Sequence, residues 1–385
     1  MNGVKKGMAL LIALLTAILP LSFAAQAAGT LPVTVNAKSA VLMDVASGRV
    51  LAAQNENEKC YPASVTKVMS LLLVMEALDE GKIALSDKVA ASETAAGKGG
   101  SQIWLAPGET MTVDELLRAT AIYSANDACT ALGEYVAGSS EAFVDRMNQR
   151  AAELGMSNTH FDNCTGLDDE TTTHLTTARD VAVMSRELLK HERITNYSTV
   201  WMDSLRGGKT ELVNTNKLIR FFEGATGLKT GTTAKAGCCI AASAKRGDTH
   251  LIAVVMGAGN SNDRFNGAKA LLNWGFANYE TVIPETSPDL IPDVTVIKGV
   301  ECSVTPVMKA SPPVLIKKGS AGEMKQTIDL AVNVEAPVVE GQLLGTVTYT
   351  LGKTTLGTAR LVAPKAVARL TFKVVFRRML TALTA

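Results

Sequence analysis

Aromatic residues make up only 5% of this 385-residue chain, and its formal net charge is +1. A nucleic-acid partner would call for a basic excess against phosphate and rings for bases, so none is expected. There is no C-x-x-C pair, and the four histidines lack metal-ligand spacing. We therefore expect neither zinc nor any other cofactor. Disorder is excluded as well, because 47% hydrophobic content supports a substantial packed core. The length exceeds one small core, so two domains with peripheral segments are expected.

Long uninterrupted apolar runs are also missing. The run from Met8 to Phe23 is broken by Pro20, follows Lys5 and Lys6, and leads into Ala25-Gln26-Ala27. Spanning a bilayer takes about 20 apolar residues. Residues 1–27 therefore have the pattern of a secretory signal peptide cleaved near Ala27 or Ala28, and the mature protein is expected to be exported. Its six cysteines could form up to three disulfides, but a domain of this size needs no staples. Cys238 and Cys239 are neighbours in a strand-like run and should face opposite ways, so free, buried cysteines are expected.

The segment SAVLMDVASGRVLAAQNENEKC predicts two strands around a turn at Ala46-Ser47-Gly48. PASVTKVMSLLLVMEALDEGK predicts a helix with Pro62 near its first position, and its apolar residues cover more than one face. Residues from about 85 to 195 are mostly helical in pattern, with a Thr112/Glu115 capping box and Asp127 as a candidate cap. Strands return in LKTGTT, GCCIAASA and THLIAVVMGA, and a helix closes the region near Tyr279. Strands at both ends and helices between imply one α+β domain whose sheet joins distant segments. After the linker PETSPDLIPD, short β-rich runs predict a small all-β domain. The tail, PKAVARLTFKVVFRRMLTALTA, has five cations and no acid, with Lys365, Arg369, Lys373 and Arg377 at every fourth position. It predicts a basic amphipathic helix lying on a membrane surface, against the alternative of packing on the β domain.

Ser64 and Lys67 stand three residues apart, so on a helix they share a face. A serine is a weak nucleophile without a base, and a lysine serves as one only when its pKa is lowered. Burial and the positive helix end would both lower it, and the cation Lys229 should push the same way. About one S-x-x-K is expected by chance in such a chain, so the pair alone proves nothing. Two other segments can complete a site. Ser124 and Asn126, on an interhelical link, offer a proton relay and a carboxamide for a substrate amide. Lys229, Thr230 and Gly231, on a strand, offer an anion clamp and room for close backbone approach. Taken singly, loop polar residues and an edge-strand lysine are commonplace.

Together, Ser64-Val65-Thr66-Lys67, Ser124-Ala125-Asn126 and Lys229-Thr230-Gly231 resemble the three motifs of penicillin-recognising serine enzymes. The stretches YPASVTKVMSLLLVMEAL, HLTTARDVAVMSRELL and RFNGAKALLNWGF, the β domain and the tail extend the likeness to the low-molecular-weight D-alanyl-D-alanine carboxypeptidases of peptidase family S11, penicillin-binding protein 5/6-like. The resemblance implies a DD-peptidase/β-lactamase-like domain over residues 31–280, a β-sandwich-like domain over 284–362 and an anchoring helix over 364–385. It implies peptidoglycan stem peptides ending in D-Ala-D-Ala as substrates and β-lactams as covalent inhibitors. Ser64 would be the nucleophile, Lys67 its base and Ser124 a relay, while Asn126 orients the peptide. Lys229 and Thr230 would hold the terminal carboxylate, and the N–H groups of Ser64 and Thr232 would form the oxyanion hole. Arg264 is placed near the carboxylate site, or is a solvated helix-start arginine. SNTHFDNCTGLDDE lacks the E-x-x-L-N pattern of class A β-lactamases, and Asp168, Asp169 and Glu170 are expected to be surface charge. The alternatives are DD-endopeptidase or β-lactamase activity, and a non-catalytic cell-wall-binding protein.

Overall fold

The computed structural model describes residues 31–169 and 171–384. The expected signal peptide, Glu170 and the terminal Ala385 lie outside the described residues. Strands β1 (Ser39–Asp44) and β2 (Val50–Gln54) turn at Gly48 as expected. Far along the chain, β3 (Ala225–Thr233), β4 (Gly237–Arg246) and β5 (Thr249–Ala258) form hairpins. The five make one antiparallel sheet in the order β2-β1-β5-β4-β3. The sheet is thus closed by segments more than 200 residues apart, and β3 is left as an outermost strand.

Both faces are buried, which is why these strands are nearly continuous apolar runs. Val41, Met43, Ile252, Val254 and Met256 face a helical layer, and the intervening Ala40, Leu42, Leu251, Ala253 and Val255 face the other side. The helical layer contains α1 (Lys67–Asp79), α2 (Val113–Arg118), α3 (Asn126–Ala137), α4 (Ser140–Glu153) and α5 (Ala178–Leu188). Helix α1 is buried along nearly its whole length, in keeping with its all-round apolar sequence. The capping box forms at α2, where Thr112 and Glu115 satisfy each other's backbone N–H. The opposite face is covered by α6 (Ser261–Asn278), through Phe265, Leu271, Leu272 and Phe276.

Asp127 does not cap α3. Its carboxylate is buried one residue inside the helix and accepts the backbone N–H groups of Ile103 and Leu105 at 3.0–3.2 Å. The same carboxylate also accepts the Ala128 N–H within the first turn of α3 at 2.9 Å. All six cysteines are free, with Cys239 buried and Cys238 half-buried on the opposite face of β4.

Strand Tyr279–Val282 leaves α6 and pairs with Val314–Lys317, joining the second domain to the first. That domain has two small cores of its own, one around Val294, Val338 and Leu344, the other around Val347, Tyr349 and Leu361. The tail departs from expectation, because its helix α7 covers only Phe372–Thr384. Residues 364–371 belong to the β domain: Val367 is buried and bridges Val338, Lys365 pairs with Glu301 at 2.7 Å, and Arg369 lies 3.4 Å from Glu335. Two cations of the anticipated helical stripe therefore neutralise β-domain acids instead.

Candidate active site

The serine turn starts as a tight 3-10 turn, Ala63–Thr66, which runs into α1 at Lys67. Pro62 precedes that turn instead of sitting inside the α-helix. The one-turn spacing survives, and Lys67 Nζ donates to Ser64 Oγ at 3.0 Å. It also donates to Asn126 Oδ1 at 2.6 Å and to the Thr165 carbonyl at 2.9 Å. All three partners are neutral acceptors, and Lys67 is fully buried, at 0% exposure. Burial lowers its pKa to about 8, although the Cys129 and Cys164 thiols and Asp127 oppose the shift.

Ser124 ends a π-helical turn, Ala119–Tyr123, with left-handed φ of 71°. Its hydroxyl oxygen is buried and makes no hydrogen bond. Asn126, expected to meet a substrate amide, spends its Oδ1 on Lys67 and its Nδ2 on the Gly99 carbonyl at 2.7 Å.

Strand alternation sorts the third motif. Lys229, Gly231 and Thr233 face the helical layer, whereas Thr230 and Thr232 point away from it. Gly231 is required sterically, since a Cβ there would come within 2.7 Å of the Ser64 nitrogen. Lys229 is buried, and its Nζ donates to the Thr230 carbonyl at 2.9 Å. Burial holds its pKa well below the ordinary lysine value, and repulsion from Lys67 and then Arg264 adds to the shift. Burial is the leading cause of the low Lys67 pKa. Thr230 Oγ1 donates to Thr215 Oγ1 at 2.7 Å.

Arg264 is not a solvated helix-start residue. It is buried against Phe265, and its Nη1 donates to the Gly231 carbonyl and to Thr232 Oγ1, both at 3.1 Å. Asp168 is likewise not surface charge. It is buried and accepts Thr233 Oγ1 at 2.5 Å, and its backbone carbonyl accepts Lys235 Nζ. Asp168 thus fastens the loop that carries Thr165 to the end of β3. Sequence reasoning missed that loop. The signal was Gly166, at φ +87°, where a Cβ would overlap the Ala63 carbonyl.

The geometry brings a hydroxyl, a buried amine of lowered pKa and the Asn126 carboxamide together, with the outermost strand β3 packed against the serine turn. Comparison with known proteins agrees in kind. Residues 24–260 match the family model of D-alanyl-D-alanine carboxypeptidase, and residues 279–369 match that of the penicillin-binding protein 5 C-terminal domain. The D-alanyl-D-alanine carboxypeptidase DacF of Bacillus subtilis is 44% identical over 88% of this chain and 89% of its own. Penicillin-binding protein 5 of Haemophilus influenzae is 32% identical, with a TM-score of 0.74 over 89% of this chain and 100% of that one. Penicillin-binding protein D2 of Listeria monocytogenes, solved in an ampicillin-bound form, is 30% identical, with a TM-score of 0.58 over 63% of this chain and 99% of its own. With the serine, lysine and strand motifs assembled as described, the chain belongs to the D-alanyl-D-alanine carboxypeptidase family, the serine peptidases of family S11.

Proposed function

We propose that Ser64 is the nucleophile that removes the terminal D-alanine from peptidoglycan stem peptides, and that β-lactams acylate the same hydroxyl. The observation that carries this reading is the 3.0 Å contact between Ser64 Oγ and the fully buried Lys67 Nζ. Outermost strand β3 offers its free edge to an extended peptide, which would add to the sheet as a sixth strand. The peptide's terminal carboxylate meets Lys229, with Thr230, Thr232 and Arg264 behind it. An arriving anion favours the charged form of Lys229, so the substrate carboxylate supplies its counter-charge.

Neutral Lys67 accepts the Ser64 proton as Oγ attacks the carbonyl of the penultimate D-alanine. The backbone N–H groups of Ser64 and Thr232 hold the developing oxyanion. The tetrahedral intermediate collapses when the leaving amine takes a proton relayed through Ser124, and free D-alanine departs. Asn126, tied to Lys67, keeps the amine aimed, and the second Nδ2 hydrogen, beyond the one given to the Gly99 carbonyl, orients the peptide. Water then hydrolyses the acyl-enzyme by the reverse sequence.

The same reading assigns residues 1–27 to a leader that exports the chain, 31–280 to catalysis and 284–362 to a spacer, with the C-terminal helix on the outer membrane–water boundary of the cell membrane. The apolar face of α7 supports that last step. Phe372, Phe376, Met379 and Leu383 are exposed at helical spacing, while Lys373, Arg377 and Arg378 lie to the sides. A Ser64→Ala protein is expected to release no D-alanine from a diacyl-D-Ala-D-Ala peptide and to take no fluorescent penicillin. Undiminished release would refute the assignment.

A further inference from the structure

A cavity of about 430 Å3 opens beside the catalytic cleft, lined by Gln102, Trp104, Tyr123, Arg206, Lys209 and Glu211 among others. Its wall adjoins the site, since Tyr123 immediately precedes Ser124 and the carbonyl of Ser101, next to Gln102, accepts the Asn126 N–H at 2.7 Å. Trp104 stands 77% exposed, and Tyr123 is 36% exposed. An indole left so open in a chain poor in aromatics needs a reason.

Backbone conformation supplies one. Six described non-glycine residues have left-handed φ, and four gather here: Ala63 and Ser124 in the catalytic cleft, Trp104 (60°) and Arg206 (54°) in the cavity wall. Such conformations persist where the surroundings enforce them, and they cluster at functional sites. The enforcement is visible. Asp127 accepts the N–H groups on both sides of Trp104, at Ile103 and Leu105. Arg206 donates to the Ile103 carbonyl at 2.7 Å, to Glu109 at 2.7 Å and to Thr210 Oγ1 at 2.9 Å. Trp104 is therefore presented on a bolted arch, a rigid ring that loses little entropy on contact. The remaining Arg206 nitrogen, Nη2, is buried with no hydrogen bond.

The chemistry of the lining narrows the occupant. A flat ring face with a carboxamide, a carboxylate and a cation around it suits a group with an apolar face and a hydrogen-bonding rim. Glu109 and Glu211 offset Arg206 and Lys209 in the same wall, which disfavours a polyanion, and the polar rim disfavours an acyl chain. We propose that this cavity is a subsite for a pyranose ring of the glycan strand that carries the stem peptide, with Trp104 as its stacking platform. The proposal rests on the reading that the Ser64 centre takes peptidoglycan peptides, and it adds the sugar as a second determinant of substrate choice.

The test compares D-alanine release from a D-Ala-D-Ala pentapeptide with and without its N-acetylglucosaminyl–N-acetylmuramyl disaccharide. Wild-type protein should show a lower KM for the sugar-bearing form. Trp104→Ala should raise that KM about fivefold, the scale of one aromatic contact, and leave kcat, the bare-peptide KM and penicillin acylation unchanged. Trp104→Phe should retain part of the advantage, and Gln102→Ala should reduce it without altering the arch. Equal losses on both substrates would make Trp104 a support for the cleft and overturn the subsite, as would a wild-type KM indifferent to sugar. A second arm titrates chitotetraose into Ser64→Ala protein and follows indole fluorescence, expecting quenching that Trp104→Phe abolishes. Absence of quenching would sink the subsite whether or not Ser64 is the nucleophile, so the two readings fail separately.

Discussion

Lys67 shows how a single side chain can be set for proton transfer by its surroundings. Its three acceptors carry no charge, so burial is not offset by a paired anion, and the amine settles at a pKa of about 8. At pH 7 about one molecule in ten then holds Lys67 neutral. Because the neutral form is the base, acylation by a β-lactam should rise about tenfold per pH unit below 7 and level off above about 8. Stopped-flow acylation rates would check this. Since burial is the leading cause of the low Lys67 pKa, a Lys229→Ala protein should keep most of the acidic limb while losing affinity for peptide carboxylates. A limb displaced to higher pH would restore Lys229 as a cause. The Ser64–Lys67 contact was legible in their one-turn spacing, and Asn126, which holds Lys67, in the motif it shares with the resembled family. The Thr165 carbonyl was not, because a backbone acceptor has no side-chain signature. Asp168 was misread as surface charge because its burial depends on Thr233, 65 residues away.

Elements were legible to the extent that their pattern was local. The β1–β2 turn, the capping box of α2 and the buried helix α1 follow from short windows of sequence. The tail was read too generously, because a four-residue recurrence of cations does not reveal that Glu301 and Glu335 wait to pair with the first two. The structure therefore shortens the segment to be tested. Deleting residues 372–385 should abolish sedimentation with anionic lipid vesicles while leaving penicillin acylation intact, since Lys365 and Arg369 remain bound in the β domain. A truncated protein that still sediments like the full chain would refute anchoring by α7.

At the scale of the whole molecule, the cores are separate: two flank the sheet, and two smaller ones lie beyond the linker. The main covalent and hydrogen-bonded crossing is the pairing of Tyr279–Val282 with Val314–Lys317, reinforced by the Thr281 N–H donating to Thr249 Oγ1 at 2.8 Å. A fragment ending at residue 283 should thus fold and be acylated by fluorescent penicillin at a rate within about twofold of the full chain. Loss of labelling would show that the β domain contributes to the cleft. The order β2-β1-β5-β4-β3 has one more consequence. Ser64 follows one edge strand of the sheet and Lys229 sits on the other, and Lys67 is held by partners 59 and 98 residues distant. No segment shorter than the whole catalytic domain can assemble that geometry. One covalent penicillin per polypeptide therefore counts folded catalytic domains, whatever the state of the β domain, so the labelling stoichiometry doubles as a direct assay of that domain's refolding yield.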